Sequence, residues 1–180
     1  MKKNISEFIE IPAGVECEHK DKVLICKKGA NQTQKMIDIP GVIIKVQDNK
    51  LHLEAKYGNK NQLKMIMTSV AHIKNLFRGL ENPFVYKLES ANVHFPMTLK
   101  VDKNRLVINN FLGEKVPRYA SIPAGVEVEL KGNQITVSSF NKELAGQTAA
   151  NFETATKIKK RDRRVFQDGI YITQKSGDVK

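Results

Sequence analysis

An eight-residue segment close to the C-terminus concentrates positive charge. Lys157–Arg164 (the basic segment, KIKKRDRR) holds six basic residues and one acidic residue, a net charge of +5. Three of the six are Arg, whose planar guanidinium group forms paired hydrogen bonds with phosphate oxygens. A run this dense repels itself unless an anion neutralises it, although a solvated loop or helix end is the alternative for any charged run. The segment predicts contacts with an RNA or DNA backbone, without a pattern that indicates base reading.

A second group with chemical potential is Cys17, His19 and Cys26, because thiolates and imidazole are the ligands that zinc prefers. The group has only three members and no recognised metal spacing. Two thiols that face each other across a hairpin, or pack in the core, are the simpler interpretation. His72 is expected to be a packed or surface residue. We expect neither a metal nor a cofactor.

Catalytic patterns are missing from the sequence. No Gly-rich phosphate loop and no serine nucleophile elbow is present, and Gly125 and Gly132 fall where strands start or turn. Glu127 and Glu129 alternate as on the solvent-exposed face of a strand. The sequence therefore predicts a protein that is not an enzyme and has no small-molecule substrate.

Composition sets the class of protein and of partner. The 180 residues hold 30 Lys and Arg against 19 Asp and Glu, so the formal charge is 30 − 19 = +11, and 41% of residues are hydrophobic. A sequence pI near 9.6 favours an anionic partner. No stretch reaches the roughly 20 apolar residues of a membrane span. Two cysteines without a secretory signal indicate a reducing compartment.

An internal repeat predicts the architecture. Ile11–Glu16 (IPAGVE) recurs as Ile122–Glu127, an offset of 111. A weaker but longer match has an offset of 84 and aligns Val42 with Val126, Asn49 with Asn133 and Leu51 with Ile135. Each weaker copy reads as a hairpin that leads into a helix. Ala71-His72-Ile73 then corresponds to Ala150-Asn151-Phe152 at an offset of 79.

A further hairpin is predicted upstream of each copy from alternating apolar residues and polar turns. The strand pairs are Val15–Glu18 with Val23–Cys26, and Met97–Val101 with Arg105–Asn109. Hairpin, hairpin and helix thus occur twice. This order predicts an α+β protein of two similar domains, each an antiparallel sheet with one helix packed on a face.

Two helices follow from apolar residues spaced by three and four. The first is predicted from about Asn61 to Arg78 with Gly79 as its stop, and Met65 and Met67 are expected in the core. The second runs from about Asn141, as N-cap, to Lys157. The inner faces are expected to contain Leu63, Ile66, Met67, Val70, Ile73, Leu76 and Phe77 in the first helix, and Leu144, Ala145, Ala149, Phe152 and Ala155 in the second.

The boundary between the domains is predicted at Glu81-Asn82-Pro83, which gives domains 1–83 and 84–180. After the basic segment, Ile170-Tyr171-Ile172 predicts a closing strand. Phe166 is expected in the core, whereas Tyr171 could be buried or stack on a nucleic-acid base.

The C-terminal third contains Lys142–Asn151 (KELAGQTAAN) followed by Thr156–Ile172. These residues closely resemble the large-subunit ribosomal protein six family, in its archaeal and eukaryotic branch. Three other segments agree, namely 71–75, 94–98 and 110–115. Lys27-Lys28-Gly29-Ala30 keeps a basic turn but lacks the Pro that the family usually has there.

The resemblance implies two α+β domains and a structural, non-catalytic role in the cytoplasmic ribosome. It implies binding of large-subunit ribosomal RNA near the stalk base and the sarcin–ricin loop, beside neighbouring ribosomal proteins and where translational GTPases dock. The phosphate contacts that it implies are Lys157, Lys159, Lys160, Arg161, Arg163 and Arg164. The hydrogen-bonding contacts that it implies are Asn141, Lys142, Gln147 and Asn151, for which a solvated polar face is the alternative.

Three other functions are compatible with a basic protein. A free-standing RNA-binding or RNA-remodelling factor would not sediment with ribosomes. An enzyme acting on nucleic acid needs a metal or base site that the sequence does not show. A binder of anionic membrane surfaces needs a basic amphipathic helix with an exposed apolar face, whereas the basic segment contains only Ile158 as an apolar residue. We therefore expect no membrane partner.

Overall fold

The computed structural model describes residues 3–29, 31–47, 49–162 and 164–177. The chain divides into two compact units, Met1–Asn82 and Pro83–Lys180. The division lies one residue before the predicted boundary, within the Glu81-Asn82-Pro83 segment. Pro83 cannot donate a backbone hydrogen bond, which makes it a natural point for the preceding helix to end.

The N-terminal unit contains six strands followed by one helix. They are β1 (Lys3–Glu10), β2 (Glu16–Lys20), β3 (Val23–Lys28), β4 (Asn31–Met36), β5 (Ile43–Gln47), β6 (Lys50–Gly58) and α1 (Lys60–Glu81). The strands form two antiparallel sheets, in the orders β1-β6-β5 and β2-β3-β4. Helix α1 packs against β1 and β6 of one sheet and β3 and β4 of the other.

The C-terminal unit repeats this order and adds one strand. Its elements are β7 (Phe84–Ala91), β8 (Thr98–Asp102), β9 (Arg105–Asn109), a 3-10 turn (Phe111–Gly113), β10 (Arg118–Ser121), β11 (Glu127–Lys131), β12 (Gln134–Ser139), α2 (Lys142–Ala155) and β13 (Gly169–Gln174). The sheets are β10-β9-β8 and β11-β12-β7-β13, again antiparallel. Helix α2 packs on β7, β10, β12 and β13.

The predicted α+β class is confirmed. Both predicted hairpin pairs and the closing strand are present, within one or two residues of the expected ends. The sequence patterns did not reveal β1, β4, β7 and β10, or the division of each unit's strands between two sheets. Strand β4 is polar along most of its length (NQTQKM), so its pairing with β3 outweighs its weak strand signal.

The six-residue repeat occupies different places in the two units. Ile11–Glu16 joins β1 to β2, whereas Ile122–Glu127 joins β10 to β11. Its glycines have matching backbone angles, with φ of 82° at Gly14 and 84° at Gly125, and both first isoleucines are buried. The weaker repeat, with its offset of 84, is the one that aligns equivalent links, because 39–42 joins β4 to β5. The conspicuous match is therefore a turn motif used twice.

Each helix buries the apolar stripe against its own sheets. The buried residues of α1 are Ile66, Ile73, Leu76, Phe77, Gly79 and Leu80, and those of α2 are Ala145, Thr148, Ala149 and Phe152. The predicted stop at Gly79 is wrong, because the helix continues to Glu81 with Gly79 buried. The core assignment of Met65 and Met67 is also wrong, since these side chains are about half exposed, and Leu63 of the predicted inner face is exposed as well.

No helix in the part of the chain that the structure describes is long and apolar enough to cross a membrane.

Candidate nucleic-acid interface

The basic segment connects the C-terminus of α2 to β13. Lys157, Lys159, Lys160 and Arg161 have exposed side chains, whereas Ile158 between them is only 8% exposed and belongs to the core of the C-terminal unit. Burial of one isoleucine contributes roughly 1.5–3 kcal/mol. Ile158 thus holds the segment against the core and leaves the neighbouring cations at the surface.

Hydrogen bonds fix the point where the segment leaves α2. The hydroxyl of Thr156, which is buried, accepts a bond of 2.9 Å from the backbone N–H of Ile170 on β13. The Arg118 guanidinium donates to the Ala155 carbonyl oxygen at 2.8 Å and pairs with Glu114 at 2.6 Å. A cation close to the last carbonyls of a helix satisfies them and stabilises the helix dipole.

Beyond the segment, the chain is fixed by Asp168, which directly precedes β13 and is only 2% exposed. One carboxylate oxygen accepts the backbone N–H groups of Val93 and His94 at 2.8 and 2.9 Å, and the other lies 2.6 Å from Nδ1 of His94. Burial by itself raises the pKa of Asp168, but the bonds from His94 and Val93 outweigh it and lower the pKa to about 2. The ionised carboxylate ties the chain between the segment and β13 to the β7–β8 loop.

An aromatic contact links the segment to the same loop. The ring of Phe166 lies 5.0 Å from that of His94, and the Arg161 guanidinium carbon lies 4.8 Å above the Phe166 ring. Phe166, which was predicted in the core, is half-buried and packs against the core from its edge. Stacking on Phe166 orients Arg161 while its hydrogen-bond donors remain accessible. Tyr171 is half-buried and donates its hydroxyl to the Gln167 carbonyl oxygen at 3.1 Å.

The cations of the segment differ in their local partners. Among the described residues, Lys157, Lys159 and Lys160 take part in no ion pair. Arg164 is 90% exposed and bonds Asp162 at 2.9 Å, and this bond lowers the pKa of Asp162. The predicted contact Arg163 lies outside the described residues. Together Lys157, Lys159, Lys160 and Arg161 provide four exposed cations.

The four predicted contacts of α2 all have partners within the chain. Asn141 caps the helix by accepting the Glu143 N–H at 2.9 Å, which confirms the predicted N-cap. The Lys142 ammonium lies 5.9 Å from the Phe84 ring centre. The Gln147 amide donates to Asn151 at 2.8 Å, and Asn151 donates to Ser121 of β10. Gln147 and Asn151 share one helix face, as predicted, with Gln147 the more exposed.

The two cysteines of the N-terminal unit form a thiol pair. Cys17 lies directly opposite Cys26 on neighbouring strands, with 2.7 Å between the sulfur atoms, which confirms the predicted cross-strand pair. His19 lies two residues from Cys17 on β2, and among the described residues its buried Nε2 has no hydrogen-bond partner. Across the described ranges, no three His, Cys, Asp or Glu side chains come together as a metal site.

Sequence reasoning missed the residues that position the basic segment. Asp168, His94 and Arg118 act over separations of 37 to 75 residues, which a local pattern does not reveal. One signal was available for Asp168, since it is an acidic residue placed just after a dense run of cations and just before a predicted strand.

Comparison of the sequence with known proteins identifies a family. The profile of "Ribosomal protein L6" matches residues 95–169, which include α2 and the basic segment. A "Large ribosomal subunit protein uL6" from Methanococcus vannielii is 45% identical over 97% of this chain and 96% of its own length. Proteins of the same description from Methanosarcina mazei and Methanobrevibacter smithii are 44% and 43% identical, over 98% and 95% of this chain and 100% and 96% of theirs.

The chain belongs to the ribosomal protein L6 family. This confirms the family resemblance over nearly the whole chain, with archaeal relatives. Membership of a family of structural ribosomal proteins also confirms that the chain is not an enzyme. Its ribosomal location follows from the same membership.

Proposed function

We propose that this chain is a structural protein of the large ribosomal subunit that binds large-subunit ribosomal RNA through the basic segment. The observation that carries the proposal is the arrangement of that segment: exposed cations on a backbone held at both ends by buried residues. The descriptions of its archaeal relatives as large-subunit proteins support the same role.

The anchoring by Ile158, Thr156 and Asp168 matters for affinity. A flexible basic tail loses conformational entropy when it binds, whereas a segment already held by the core loses less. Lysine and arginine neutralise phosphates and release condensed counterions, so the binding free energy depends steeply on salt. Contacts of this kind fix the position of RNA helices without reading their sequence.

The finer location of the chain follows the family resemblance. We place it near the stalk base and the sarcin–ricin loop, beside neighbouring large-subunit proteins and close to where translational GTPases dock, in cytoplasmic ribosomes. Asn141, Lys142, Gln147 and Asn151 remain proposed secondary contacts. Of these, Gln147 is the best placed, because its side chain is exposed on α2.

The salt dependence of binding tests the basic segment. Affinity of the full chain for large-subunit ribosomal RNA is measured across a salt series for the wild type and for R161A/R163A/R164A. The variant is expected to bind more weakly and to reduce the slope of log K against log salt by about 2–3, since each phosphate contact contributes about 0.7–0.9.

The matched control is K56A/K64A/K74A, which removes the same charge from exposed positions of the N-terminal unit. It is expected to retain most of the wild-type slope. Equal slopes for the wild type and the arginine variant, with the fold intact by circular dichroism, would contradict the assignment.

Sedimentation tests the ribosomal role itself. The chain is expected to travel with the large subunit in a sucrose gradient and to stay there through a moderate-salt wash. Migration as a free protein would instead support the independent RNA-binding factor.

A further inference from the structure

The register of the β2–β3 hairpin brings Cys17 and Cys26 into the closest position that two strands allow. The two-residue turn Asp21-Lys22 has positive φ at both positions, 48° and 67°, the pattern of a type I′ turn. Lys20 and Val23 then form the closing hydrogen-bonded pair, and pair types alternate along the ladder. Cys17–Cys26 is the third pair after Lys20–Val23 along the ladder, so it is a non-hydrogen-bonded pair. In such pairs the Cα atoms approach to about 4.5 Å.

This geometry is suited to a disulfide. Disulfides span Cα distances of about 4.4–6.8 Å with an S–S bond near 2.05 Å. The two thiol sulfurs already lie 2.7 Å apart, so small rotations of the side chains would bring them to bonding distance. A tetrahedral zinc ion with bonds of about 2.3 Å would instead hold two thiolates nearly 4 Å apart.

The two sulfurs differ in access to solvent. Cys26 is fully buried in the core of the N-terminal unit. Cys17 is half-buried and lines a cavity of about 520 Å³, together with His19, Ile44 and Val46. A small molecule that enters the cavity therefore meets Cys17 first.

We propose that Cys17 and Cys26 form a reversible dithiol–disulfide site whose oxidant is a low-molecular-weight disulfide. The Cys17 thiolate attacks one sulfur of the oxidant, the oxidant's S–S bond breaks, and one thiolate leaves. Cys26 then attacks the Cys17 sulfur of the mixed disulfide and expels the second thiolate. The two protein thiols lose two electrons, the oxidant is reduced to two thiols, and both protein protons pass through solvent to those products.

The difference in solvent access assigns these roles, because Cys17 lines the cavity and Cys26 is fully buried. The contact between the sulfurs acts in the same sense: it lowers the pKa of Cys17 and, together with burial, raises the pKa of Cys26. Since the thiolate is the nucleophile, Cys17 is the group that reacts first. Neither residue belongs to the proposed RNA surface, so the site is independent of the proposed function.

The test exposes the full chain to a series of glutathione to glutathione-disulfide ratios, followed by alkylation and intact mass measurement. The wild type is expected to lose two hydrogen atoms, to remain monomeric and to regain them in dithiothreitol. Cys26→Ser is expected to accumulate one glutathione on Cys17. Cys17→Ser is expected to react at least about 100-fold more slowly, because Cys26 then waits for local unfolding.

The wild-type measurement decides the proposal even if a variant fails to fold. A wild-type chain that stays fully reduced in the most oxidising mixture overturns it. So does a wild-type chain that retains glutathione adducts, or one that forms disulfide-linked dimers. Reaction of Cys17→Ser with glutathione disulfide as fast as that of Cys26→Ser overturns the assigned order of attack.

Discussion

The two units follow one plan, and they differ at the edge of one sheet. In the N-terminal unit the first strand, β1, has β6 as its partner and the unit ends with α1. In the C-terminal unit the equivalent strand, β7, lies between β12 and β13. The chain must therefore return from the end of α2 to the far edge of β7. The basic segment is part of that return, which explains why it is held at both ends.

The two helices also differ, in their length and in the size of the side chains that they bury. Helix α1 has 22 residues and buries bulky side chains, whereas α2 has 14 residues and buries two alanines, one threonine and Phe152. Small residues allow a helix to approach a sheet closely. In the C-terminal unit α2 lies on β7, β12 and β13, so the added strand also contributes to the surface on which the helix packs.

The largest expected effect comes from the two equivalent core positions, Ile73 and Phe152, which are both fully buried. Phe152→Ala is expected to lower the free energy of unfolding by about 3–5 kcal/mol, and Ile73→Ala by about 2–5 kcal/mol. Urea denaturation measures both. Met67→Ala, on the exposed side of α1, is the control and should change stability by less than about 0.5 kcal/mol. If Met67→Ala lowered the free energy of unfolding as much as Ile73→Ala does, the observed orientation of α1 would be contradicted.

Asp168→Asn tests the part of the C-terminal unit that has no N-terminal counterpart. It removes a buried charge that accepts three bonds, and we expect a loss of about 1.5–3 kcal/mol of stability. RNA affinity should also fall, because the end of the basic segment is no longer held. Asp162→Asn, an exposed carboxylate in the same region, is the control for charge. Unchanged stability and RNA affinity in Asp168→Asn would argue against the anchoring role.

Acid should weaken the C-terminal unit through the same residue. The pKa of Asp168 is about 2 in the folded chain against an ordinary value of 3.8. A carboxyl group whose pKa is lower in the folded chain stabilises the fold at any pH above its pKa in the unfolded chain. This stability is lost as the pH falls from about 4 to about 2. The shift corresponds to about 2 kcal/mol. Denaturation at several pH values should show this loss in the wild type and a smaller one in Asp168→Asn.

The smallest expected effect is a difference in stability between alanine variants of two equivalent turns. The turns contain Gly41 and Gly125, with φ of 74° and 84°. Alanine at either site adopts a left-handed conformation at a cost of about 1–2 kcal/mol. A Cβ at Gly41 would also lie 2.8 Å from the side-chain nitrogen of Gln62, which bonds the Pro40 carbonyl oxygen. Nothing lies within 4 Å at Gly125. Thermal denaturation should therefore show the greater loss for Gly41→Ala, and the reverse order would contradict the geometry.

Local patterns were informative where the cause is local. Alternating apolar residues predicted the hairpins at 15–26 and 97–109, and Asn141 was correctly predicted as a helix cap. Burial within a helix was less predictable. Ile66 and Met67 are adjacent apolar residues, and only the packing of α1 decides which of them is buried. Gly79 likewise has a poor helix propensity that its burial in a packed helix overrides.

The charge of the basic segment was predictable from the sequence, whereas the contacts that hold the segment in place were not. Six cations in eight residues indicate an anionic partner whatever the fold. That Asp168 reaches Val93 and His94, and that Arg118 reaches Ala155, depends on elements far apart in the chain. The six-residue repeat shows the same limit, since identical residues form the same turn at places that are not equivalent in the two units.

The sequence by itself determined the α+β class, the repeated hairpins and helices, the basic segment and the family. These properties depend on periodicity, turn chemistry and composition, which act over a few residues. Only the tertiary structure decided how the strands divide between sheets, which cations face solvent on an anchored backbone, and that Cys17 and Cys26 meet with their sulfurs in contact. Those properties depend on pairings between distant segments, and the free energy that selects them exists only once the chain has packed.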